Sequence, residues 1–439
     1  MPARKTAEEV VRKLREAGHE AYFAGGCVRD MVMGREPEDY DIATSASPEV
    51  TMKLFPQNVA VGAAFGVVLV RIGDHEHEVA TFRADGPTAD ERRPISVTFC
   101  SAREDVMRRD FTINGMLYDP VKGEVLDWAG GQQDIRTKLI RTIGKPEERF
   151  AEDRLRMLRA VRFASGLDFA IEQETYDAIR AAAANIVAIS VERIRDEIIR
   201  ILTLPDGRGG RGVRLLRDTG LLQHVLPEIT ALEGVEQPPQ YHPEGDVFEH
   251  TCIMLDMVRS PSPELALGIL LHDIGKPQTE SYDGRIRFDS HDKVGAEMAR
   301  QVCARLRMSN DATGHIYSLV ANHMRMPATM YMRVGKLKQL LALDRFGEHL
   351  ELHRLDCLAS HRQLDVYEFL KRTREQMPEE ELRPPPLITG ADLIALGLKP
   401  GPIFATILDE VREKQLDGEM TTREGALELV KKKYVEQRG

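Results

Sequence analysis

The sequence has no stretch of apolar residues long enough to cross a membrane. Hydrophobic residues make up 42% of its 439 residues and charged residues 30%, which is typical of a globular protein in water. A membrane span needs about 18 consecutive apolar residues, and the first residues lead into a polar amphipathic helix, not a signal peptide. We therefore expect a cytoplasmic protein without membrane contacts.

Cysteine is scarce, and an excess of positive charge is absent. The five cysteines (Cys27, Cys100, Cys252, Cys303 and Cys357) have no Cys-x-x-Cys spacing, so we expect reduced, mostly buried thiols. With 60 basic and 70 acidic residues the formal net charge is −10, which argues mildly against nucleic acid because phosphate binding needs a positive surface. Arginines nevertheless concentrate around the site described below, which is compatible with a local basic track on an acidic protein.

The chain also lacks low-complexity tracts and repeats of solenoid period. It is too long for one ordinary core, so several domains are expected. Helix and strand patterns alternate up to about residue 150, and helical patterns follow. The sequence therefore predicts an α+β multidomain fold, with a mixed sheet and helices followed by all-helical domains. The predicted domains are residues 1–145, 146–225, 226–380 and 381–439.

Apolar periodicity predicts individual elements as well. The expected strands are 21–24, 66–72, 78–83 and 95–99, and the expected helices are 7–17, 152–163, 175–185 and 191–202. Ser190 is the predicted N-cap of the last helix. Residues 205–211 are expected to form a loop, and a Pro-rich stretch at 383–386 separates the helical regions 247–370 and 390–434.

The most informative segment joins a glycine turn to a pair of aspartates. Gly25 and Gly26 follow the first predicted strand, and adjacent glycines let backbone N–H groups converge on an anion. Asp39 and Asp41, at strand spacing, would project to one face and share divalent ions. Either motif alone is commonly a turn or a solvated strand end. Together they indicate phosphoryl or nucleotidyl transfer.

A third carboxylate is expected on the strand that follows the aspartates. Glu78 would complete the metal site, and Glu76 competes for that role because it lies on the same face of the strand. We take Glu78 as the predicted ligand and Glu76 as its alternative.

Three further motifs follow in order. They are Arg108-Arg109-Asp110-Phe111-Thr112-Ile113-Asn114, Asp127-Trp128-Ala129-Gly130-Gly131, and Glu152-Asp153-Arg154-Leu155-Arg156-Met157-Leu158-Arg159-Ala160. With the earlier motifs, they show that the chain resembles the class II tRNA nucleotidyltransferases, which add or repair the 3′-terminal CCA of tRNA, and the related bacterial poly(A) polymerases. The resemblance is densest between residues 22 and 202. Gly115 stands where this family usually has alanine, and Arg154 where it usually has proline.

The resemblance implies a nucleotidyltransferase palm, a helical neck that selects the nucleotide, an HD domain and a tail that contacts tRNA. The implied substrates are tRNA, CTP and ATP, and Mg²⁺ is the implied ion at Asp39 and Asp41. The implied nucleotide-binding residues are Gly25, Gly26, Arg29, Arg109, Asp110, Asn114, Asp153, Arg156, Arg159 and Arg162. The arginines can grip a triphosphate and Asp110 a ribose hydroxyl, although a polar helix start is the alternative interpretation of residues 108–110.

The spacing of three residues between Asp153 and Arg156 predicts that both lie on one helix face. A salt-bridged surface pair is the ordinary interpretation. A carboxylate beside a guanidinium can also imitate a complementary base, because Asp153 would accept from the exocyclic amine of cytosine or adenine while Arg156 donates to the ring. Guanine and uracil place a carbonyl where the amine is needed and would be rejected. In the family, the matching positions act as a protein template for CTP and ATP.

A second set of candidate ligands occupies the helical region. Their order resembles the HD superfamily of metal-dependent phosphohydrolases, which implies a divalent ion of unspecified identity and a bound water that is nucleophilic near neutral pH. The implied ligands are His250, His272, Asp273 and Asp356, and His291 and His323 could complete a second metal position. The alternative is a helical spacer whose histidines serve packing or capping.

The sequence leaves the product open between CCA, CC-only and A-only addition. A poly(A) polymerase is disfavoured because the chain lacks a long basic tail for nonspecific RNA. A phosphohydrolase with a degenerate transferase module is the other alternative. Residues 83–94 are polar and contain glycine and proline, so they predict a mobile loop at the rim of the site. In the family such a loop helps the pocket switch from cytosine to adenine, which favours full CCA addition. The oligomeric state is not indicated.

Overall fold

The computed structural model of the protein describes residues 2–62, 66–85, 88–90, 93–94, 97–238 and 245–436, of which 60–62, 84–85, 88–90, 93–94 and 97–99 are described by their backbone alone. The chain divides into two compact units, Met1–Thr230 and Ala231–Gly439. A mixed sheet with helices at the amino terminus is followed by a mostly helical remainder, which confirms the predicted fold class. The finer domain boundaries stay a prediction. Within the described ranges, no helix is both long and apolar enough to span a membrane.

The helices and strands of the first unit follow in chain order. They are α1 (Ala3–Glu16), β1 (Ala21–Ala24), α2 (Gly26–Val32), β2 (Asp41–Thr44), α3 (Pro48–Leu54), β3 (Asn58–Gly62), β4 (Val67–Ile72), β5 (His75–Thr81), β6 (Arg83–Asp85), β7 (Thr88–Asp90), β8 (Arg93–Pro94), β9 (Val97–Phe99), α4 (Ala102–Met107), β10 (Met116–Asp119), β11 (Glu124–Asp127), α5 (Gly131–Thr137), β12 (Leu139–Ile140), α6 (Pro146–Glu152), α7 (Leu155–Leu167), β13 (Ala170–Ile171), α8 (Gln173–Ala182), α9 (Val191–Leu202), α10 (Gly209–Asp218), α11 (Leu222–Val225) and α12 (Pro227–Thr230).

Seven strands form the main sheet, in the order β11-β10-β1-β2-β5-β4-β3. Neighbouring strands are antiparallel except β2 and β5, which run parallel with Ile42 opposite Val79. The residues that precede these two partners, Asp41 and Glu78, therefore lie side by side at one end of the sheet. Sheet topology thus brings together two acidic residues that are far apart in sequence.

Helix α1 packs on this sheet, as the sequence pattern predicted. Its buried residues Val10, Val11 and Leu14 recur at helical spacing and join Phe23 and Ile42 of the sheet in one hydrophobic cluster. Burial of each such side chain contributes about 1.5–3 kcal/mol relative to exposure. This cluster holds β1 and β2, the strands that lead into and out of the glycine turn.

The helices after the sheet differ from the sequence prediction at one important point. The single helix expected over 152–163 is broken, because α6 ends at Glu152 and Asp153 is extended (φ −148°, ψ 103°) before α7 begins. Helix α9 has the predicted bounds. Ser190 occupies its N-cap position, but the side chain makes no capping hydrogen bond. The predicted loop at 205–211 is only partly a loop, since α10 already begins at Gly209.

The loop expected at residues 83–94 contains strands in its described parts. Strand β6 pairs with β9, and β7 pairs with β8, both antiparallel. The backbone is therefore more regular than its glycine and proline content suggested. Residues 86–87 and 91–92 lie outside the described residues, and the predicted mobility of the segment stays a prediction.

The second unit is built mainly of helices. Its elements are α13 (Val247–Met257), α14 (Pro263–Leu271), α15 (Lys276–Thr279), β14 (Glu280–Tyr282), β15 (Ile286–Phe288), α16 (His291–Arg305), α17 (Asn310–Asn322), α18 (Val334–Leu341), α19 (Phe346–Ala359), α20 (Asp365–Gln376), α21 (Glu379–Leu382), α22 (Gly390–Ala395), α23 (Pro402–Leu416) and α24 (Arg423–Val430).

Helix α14 lies at the centre of the second unit. Its residues from Leu265 to Leu271 are all buried, and it packs against α13, α17 and α19. The helix ends with His272 as its C-cap. The His272-Asp273 dipeptide therefore begins at the end of a fully buried helix, where its polar atoms need partners other than water.

Candidate nucleotide site and candidate metal centre

The glycine turn connects β1 to α2. Gly25 has a φ of 73°, a left-handed value that favours glycine. A Cβ atom at this position would also lie 3.3 Å from Nη1 of Arg109. The absence of a side chain leaves the backbone open on the side where an arginine approaches.

Three carboxylates lie beside this turn. Asp41 begins β2 next to Glu78, and Asp39 stands two residues earlier, just before the strand. Burial, reinforced by the negative charges of Asp39 and Glu78, raises the pKa of Asp41 to about 6. Such crowding of like charges favours a bound cation. Glu76 instead lines a separate depression with Gln57 and Arg71, so the geometry favours Glu78 over its alternative.

One cavity of about 810 Å³ brings together every residue predicted for the transferase site. Its predicted lining residues are Gly25, Gly26, Arg29, Asp39, Asp41, Glu78, Arg109, Asp110, Asn114, Asp153, Arg156, Arg159 and Arg162. The carboxylates and the arginines thus share one open volume, although they come from segments more than 100 residues apart. Their roles in catalysis stay predictions.

Asp110 is held in this cavity by three groups. Its Oδ2 lies 2.6 Å from Nη2 of Arg159, and its Oδ1 accepts from the Phe111 backbone N–H at 2.8 Å and from Nδ2 of Asn114 at 3.4 Å. Burial alone would raise the pKa of Asp110, but the Arg159 guanidinium more than offsets it and lowers the pKa. Asp110 is therefore an ionised acceptor with a defined orientation.

Phe163 is a lining residue that the sequence analysis missed. Its ring lies under the guanidinium carbons of Arg162, Arg159 and Arg29, at 4.3, 5.4 and 5.7 Å from the ring centroid. An aromatic face attracts cations, so Phe163 keeps three arginines close together in spite of their repulsion. Its spacing of four from Arg159 on a predicted helix was the available signal.

Asp153 and Arg156 are near one another but do not pair, which corrects the predicted helix-face arrangement. Arg156 donates to the carboxylate of Glu152 at 2.8 Å and to the carbonyl oxygens of Arg149 and Arg108 at 3.1 and 3.3 Å. Asp153 pairs instead with Arg193, at 2.9 Å. The break between α6 and α7 explains the difference, because the Asp153 side chain leaves an extended residue and not a helix.

Arg193 and Arg200 of α9 also line the cavity and were not predicted. They are seven residues apart, which places both on one face of the helix. Between them, buried Glu197 accepts from Nε of Arg162 at 2.7 Å and from Nη1 of Arg200 at 3.3 Å. The polar stripe on an otherwise apolar helix was the signal that could have found this face.

The predicted HD ligands form one buried cluster in the second unit. Two groups of three residues each have ligand atoms within 4.8 Å of one another: His250, His272 and Asp273, and Asp273, His291 and His323. Asp356 adjoins the first group, with Oδ1 3.2 Å from Nε2 of His250. The structure therefore brings all six predicted residues together, with Asp273 shared between the two groups.

The histidines of the cluster are oriented by backbone carbonyls. The Nδ1 atoms of His272, His291 and His323 lie 2.8, 2.7 and 2.7 Å from the carbonyl oxygens of Ile269, Phe288 and Val320. Because a carbonyl oxygen only accepts, each Nδ1 must donate, and a neutral ring then presents its Nε2 lone pair to the cluster. The Nε2 atoms of His291 and His323 are only 3.2 Å apart. Two facing lone pairs at that distance are unfavourable without a cation, so the donor set fits a metal ion.

The charges of the cluster are shifted in the directions that a cation site requires. Burial would raise the pKa of Asp273, but His272 and Lys276 lower it well below its usual value. Burial lowers the pKa of His323 to about 4, which keeps it neutral as a ligand. For His291, burial opposes and the Asp273 hydrogen bond favours protonation, and the pKa is raised.

Comparison with known proteins gives the same domain order. Residues 21–141 match the poly A polymerase head domain, residues 168–233 the domain described as the probable RNA and SrmB-binding site of polymerase A, and residues 247–381 the HD domain. The fold and these domains define the class of protein as a nucleotidyltransferase with an RNA-binding and an HD domain. Both the nucleotidyltransferase and the HD families are metal-dependent, and the identity of the metal is not defined here.

The chain belongs to the poly A polymerase head-domain family, and its similar relatives are CCA-adding enzymes. It is 46% identical to the CCA-adding enzyme of Geobacillus kaustophilus over 52% of this chain and 56% of that protein. It is 45% identical to that of Bacillus velezensis over 52% of this chain and 56% of that protein. The chain thus matches little more than half the length of these curated relatives.

A solved structure matches over the whole chain. The crystal structure of the Bacillus stearothermophilus CCA-adding enzyme in complex with CTP has a TM-score of 0.73 and 28% sequence identity, over 100% of this chain and 99% of that one. The Thermotoga maritima CCA-adding enzyme complexed with tRNA has the same fold, with a TM-score of 0.56 and 20% identity, over 97% of this chain and 94% of that one. The resemblance inferred from the sequence motifs is therefore confirmed.

Proposed function

We propose that the protein adds or repairs the 3′-terminal CCA of tRNA, using CTP and ATP without a nucleic acid template. The observation that carries this proposal is the single cavity in which Asp39, Asp41 and Glu78 face an arginine-rich wall that also carries Asp153 and Arg156. Acidic residues for metal ions, cations for a triphosphate and a base-reading pair are the three parts that such a reaction needs. The CCA-adding relatives support the same assignment.

Asp39, Asp41 and Glu78 would hold Mg²⁺. When bound, the ion would supply a Lewis acid that activates the 3′-hydroxyl of tRNA and neutralises charge on the departing pyrophosphate. The fit rests on the crowded carboxylates, which raise the pKa of Asp41 to about 6. Oxygen ligands of this kind suit a hard divalent cation.

The arginines and the glycine turn would bind the triphosphate. Arg109 approaches the backbone at Gly25, and Arg159 and Arg162 follow on α7 at helical spacing. Guanidinium groups bind phosphate oxygens through paired N–H donors. Asp110, ionised and fixed by Arg159, would accept from a ribose hydroxyl. These contacts position the α-phosphate for attack by the tRNA end and do not distinguish the bases.

Asp153 and Arg156 would read the base. Cytosine and adenine both present an amine beside a ring acceptor, and Asp153 accepts from the first while Arg156 donates to the second. A guanine or uracil carbonyl at the same place would face a carboxylate and leave it without a donor, which costs about 1–3 kcal/mol. The same pair therefore serves both CTP and ATP.

The deciding experiment uses tRNA transcripts that end at the discriminator base, after one C and after two, each with CTP, ATP or both. Full CCA addition requires extension of all three. A-only addition would extend only the transcript ending in CC, and CC-only addition would stop before A. A long A tail on every transcript would indicate a poly(A) polymerase. Asp39→Asn provides the matched control, which should extend none of the transcripts.

The facing Nε2 atoms of His291 and His323 support a second activity, hydrolysis of phosphate esters at the HD cluster. His250, His272, Asp273 and Asp356 would hold one divalent ion, and the two facing histidines a second. A cavity of about 370 Å³ lined by Asp273, Lys276, His291 and His323 gives a substrate access to the cluster. Assays with phosphate monoesters and 2′,3′-cyclic phosphates across Mg²⁺, Mn²⁺, Ni²⁺ and Co²⁺ test it. Absence of turnover with every ion would favour a structural spacer.

A further inference from the structure

Arg193 is the direct partner of the Asp153 carboxylate. Its Nη2 lies 2.9 Å from Oδ2 of Asp153, while Oδ1 accepts from the Leu155 backbone N–H at 3.1 Å. Both oxygens are thus held, one by the start of α7 and the other by α9. The side chains of Asp153 and Arg193 are 27% and 31% exposed, and both line the cavity. The held carboxylate is therefore still open to a ligand.

The backbone by itself does not orient this carboxylate. Asp153 is an extended residue between two helices, so it lacks the packing against a preceding turn that restricts side chains in a helix. Each carboxylate oxygen has about two lone pairs. One bond to each oxygen fixes the rotation of the group and leaves an acceptor position on each for an exocyclic amine.

The position of Arg193 is in turn fixed by the packing of α9 against α7. On the same face of α9, buried Glu197 accepts from Nε of Arg162 of α7 at 2.7 Å. This ion pair is nearly excluded from water, with side-chain exposures of 3% and 17%. The helix that carries Arg193 is therefore locked to the helix that begins beside Asp153.

We infer that Arg193 is a positioning residue for base selection, acting through Asp153. This inference rests on the proposed function. Without Arg193 the carboxylate is free to rotate away from the exocyclic amine, and CTP and ATP lose their advantage over UTP and GTP. Contacts to the triphosphate remain, because Arg29, Arg109 and Arg159 do not depend on this pair.

The test compares Arg193→Gln and Arg193→Lys with Asp153→Ala in single-nucleotide incorporation on tRNA. We expect Arg193→Gln to lower the kcat/KM ratios of CTP over UTP and of ATP over GTP by about tenfold or more, and Arg193→Lys to lower them less. The double variant with Asp153→Ala should lose no more selectivity than Asp153→Ala alone, because both changes remove one interaction. Arg195→Gln, on the same helix but outside the cavity lining, is the control and should keep the wild-type ratios.

Other outcomes separate this inference from the proposed function. If Asp153→Ala loses selectivity and Arg193→Gln keeps it, the inference is wrong and the template assignment stands. An equal loss for all four nucleotides would mean that Arg193 contacts phosphate or RNA, which also overturns it. If Asp153→Ala keeps full selectivity, the template itself is wrong. Should Arg193→Gln fail to fold by circular dichroism, the Arg193→Lys ratios decide.

Discussion

Nδ1 of buried His77 lies 3.2 Å from the backbone carbonyl oxygen of Tyr40. Tyr40 stands between Asp39 and Asp41, and His77 immediately precedes Glu78. A single hydrogen bond therefore ties together the two segments that carry the three candidate metal ligands. The other ring nitrogen, Nε2, lies 2.8 Å from the Thr6 hydroxyl oxygen of α1, so the ring also joins these segments to the core of the sheet.

Replacement of this ring should weaken the first unit. We expect His77→Ala to lower its free energy of unfolding by about 2–3 kcal/mol, because it removes buried volume and leaves the Tyr40 carbonyl without its donor. Trp128, the one tryptophan of the chain, lies in this unit, so urea unfolding followed by its fluorescence reports the change. Glu76→Gln, on the same strand but exposed, is the control. Equal stability of the two variants would contradict the bridging role.

Asp41→Asn should abolish nucleotide incorporation and yet stabilise the metal-free protein. Activity should fall by about a thousandfold or more because a metal ligand is lost. Stability should rise at neutral pH, since the raised pKa of Asp41 (about 6) means that its folded-state charge is unfavourable once the pH exceeds that value. Denaturation with EDTA and with excess Mg²⁺ checks both parts. Wild-type turnover in this variant would refute the metal assignment.

The HD cluster should be separable from the transferase site. His272→Ala is expected to remove divalent metal binding at the cluster, measured by isothermal titration calorimetry, and any phosphate ester hydrolysis with it. Addition of CTP and ATP to tRNA should be retained, because no transferase residue is altered. His361→Ala, at an exposed position of the same unit, serves as the control. Metal binding equal to that of the wild type would exclude His272 as a ligand.

His349 should make the second unit sensitive to acid. Burial lowers its pKa to about 4, below the ordinary value near 6.5. As the pH falls from 6.5 to 4, the unfolded chain takes up a proton that the folded chain refuses, so the free energy of unfolding decreases, by up to about 3 kcal/mol. His349→Leu should reduce this loss. Urea unfolding by circular dichroism across that pH range measures it, and an unchanged pH dependence would contradict the prediction.

Gly115 has a local reason for departing from the alanine of the family. A Cβ atom there would lie 2.5 Å from Cδ1 of Ile143, so Gly115→Ala should cost about 1–3 kcal/mol through overpacking. Ile143→Val removes the clashing methyl group, and the double variant should recover part of the loss. Trp128 fluorescence during urea unfolding is again the measurement. A double variant as unstable as the sum of the two single ones would argue against this contact.

Local sequence determined the parts of the molecule that depend on neighbours in the chain. Strand β1, the turn at Gly25 and helix α9 were all predicted, because alternation, a left-handed glycine and helical spacing act over a few residues. Sequence order also identified the HD ligands, whose geometry then fits a metal ion.

The break at Asp153 shows where local pattern failed. The apolar spacing continues through residues 152–163, and Arg154 occupies the place where a proline would have signalled the end of a helix. The extended residue between α6 and α7 is compensated by contacts from elsewhere in the chain, namely Arg193 to the side chain and Arg108 to the neighbouring Arg156.

The tertiary structure alone decided which side chains share a site. Glu76 and Glu78 are equivalent in the strand pattern, and only the parallel register of β2 with β5 puts Glu78 beside Asp41. Arg193 likewise has no sequence motif of its own and enters the cavity because α9 packs on α7. Long-range ion pairs and strand registers join residues about 40 positions apart, and the free energy that selects them comes from burial of the whole core, which no local pattern records.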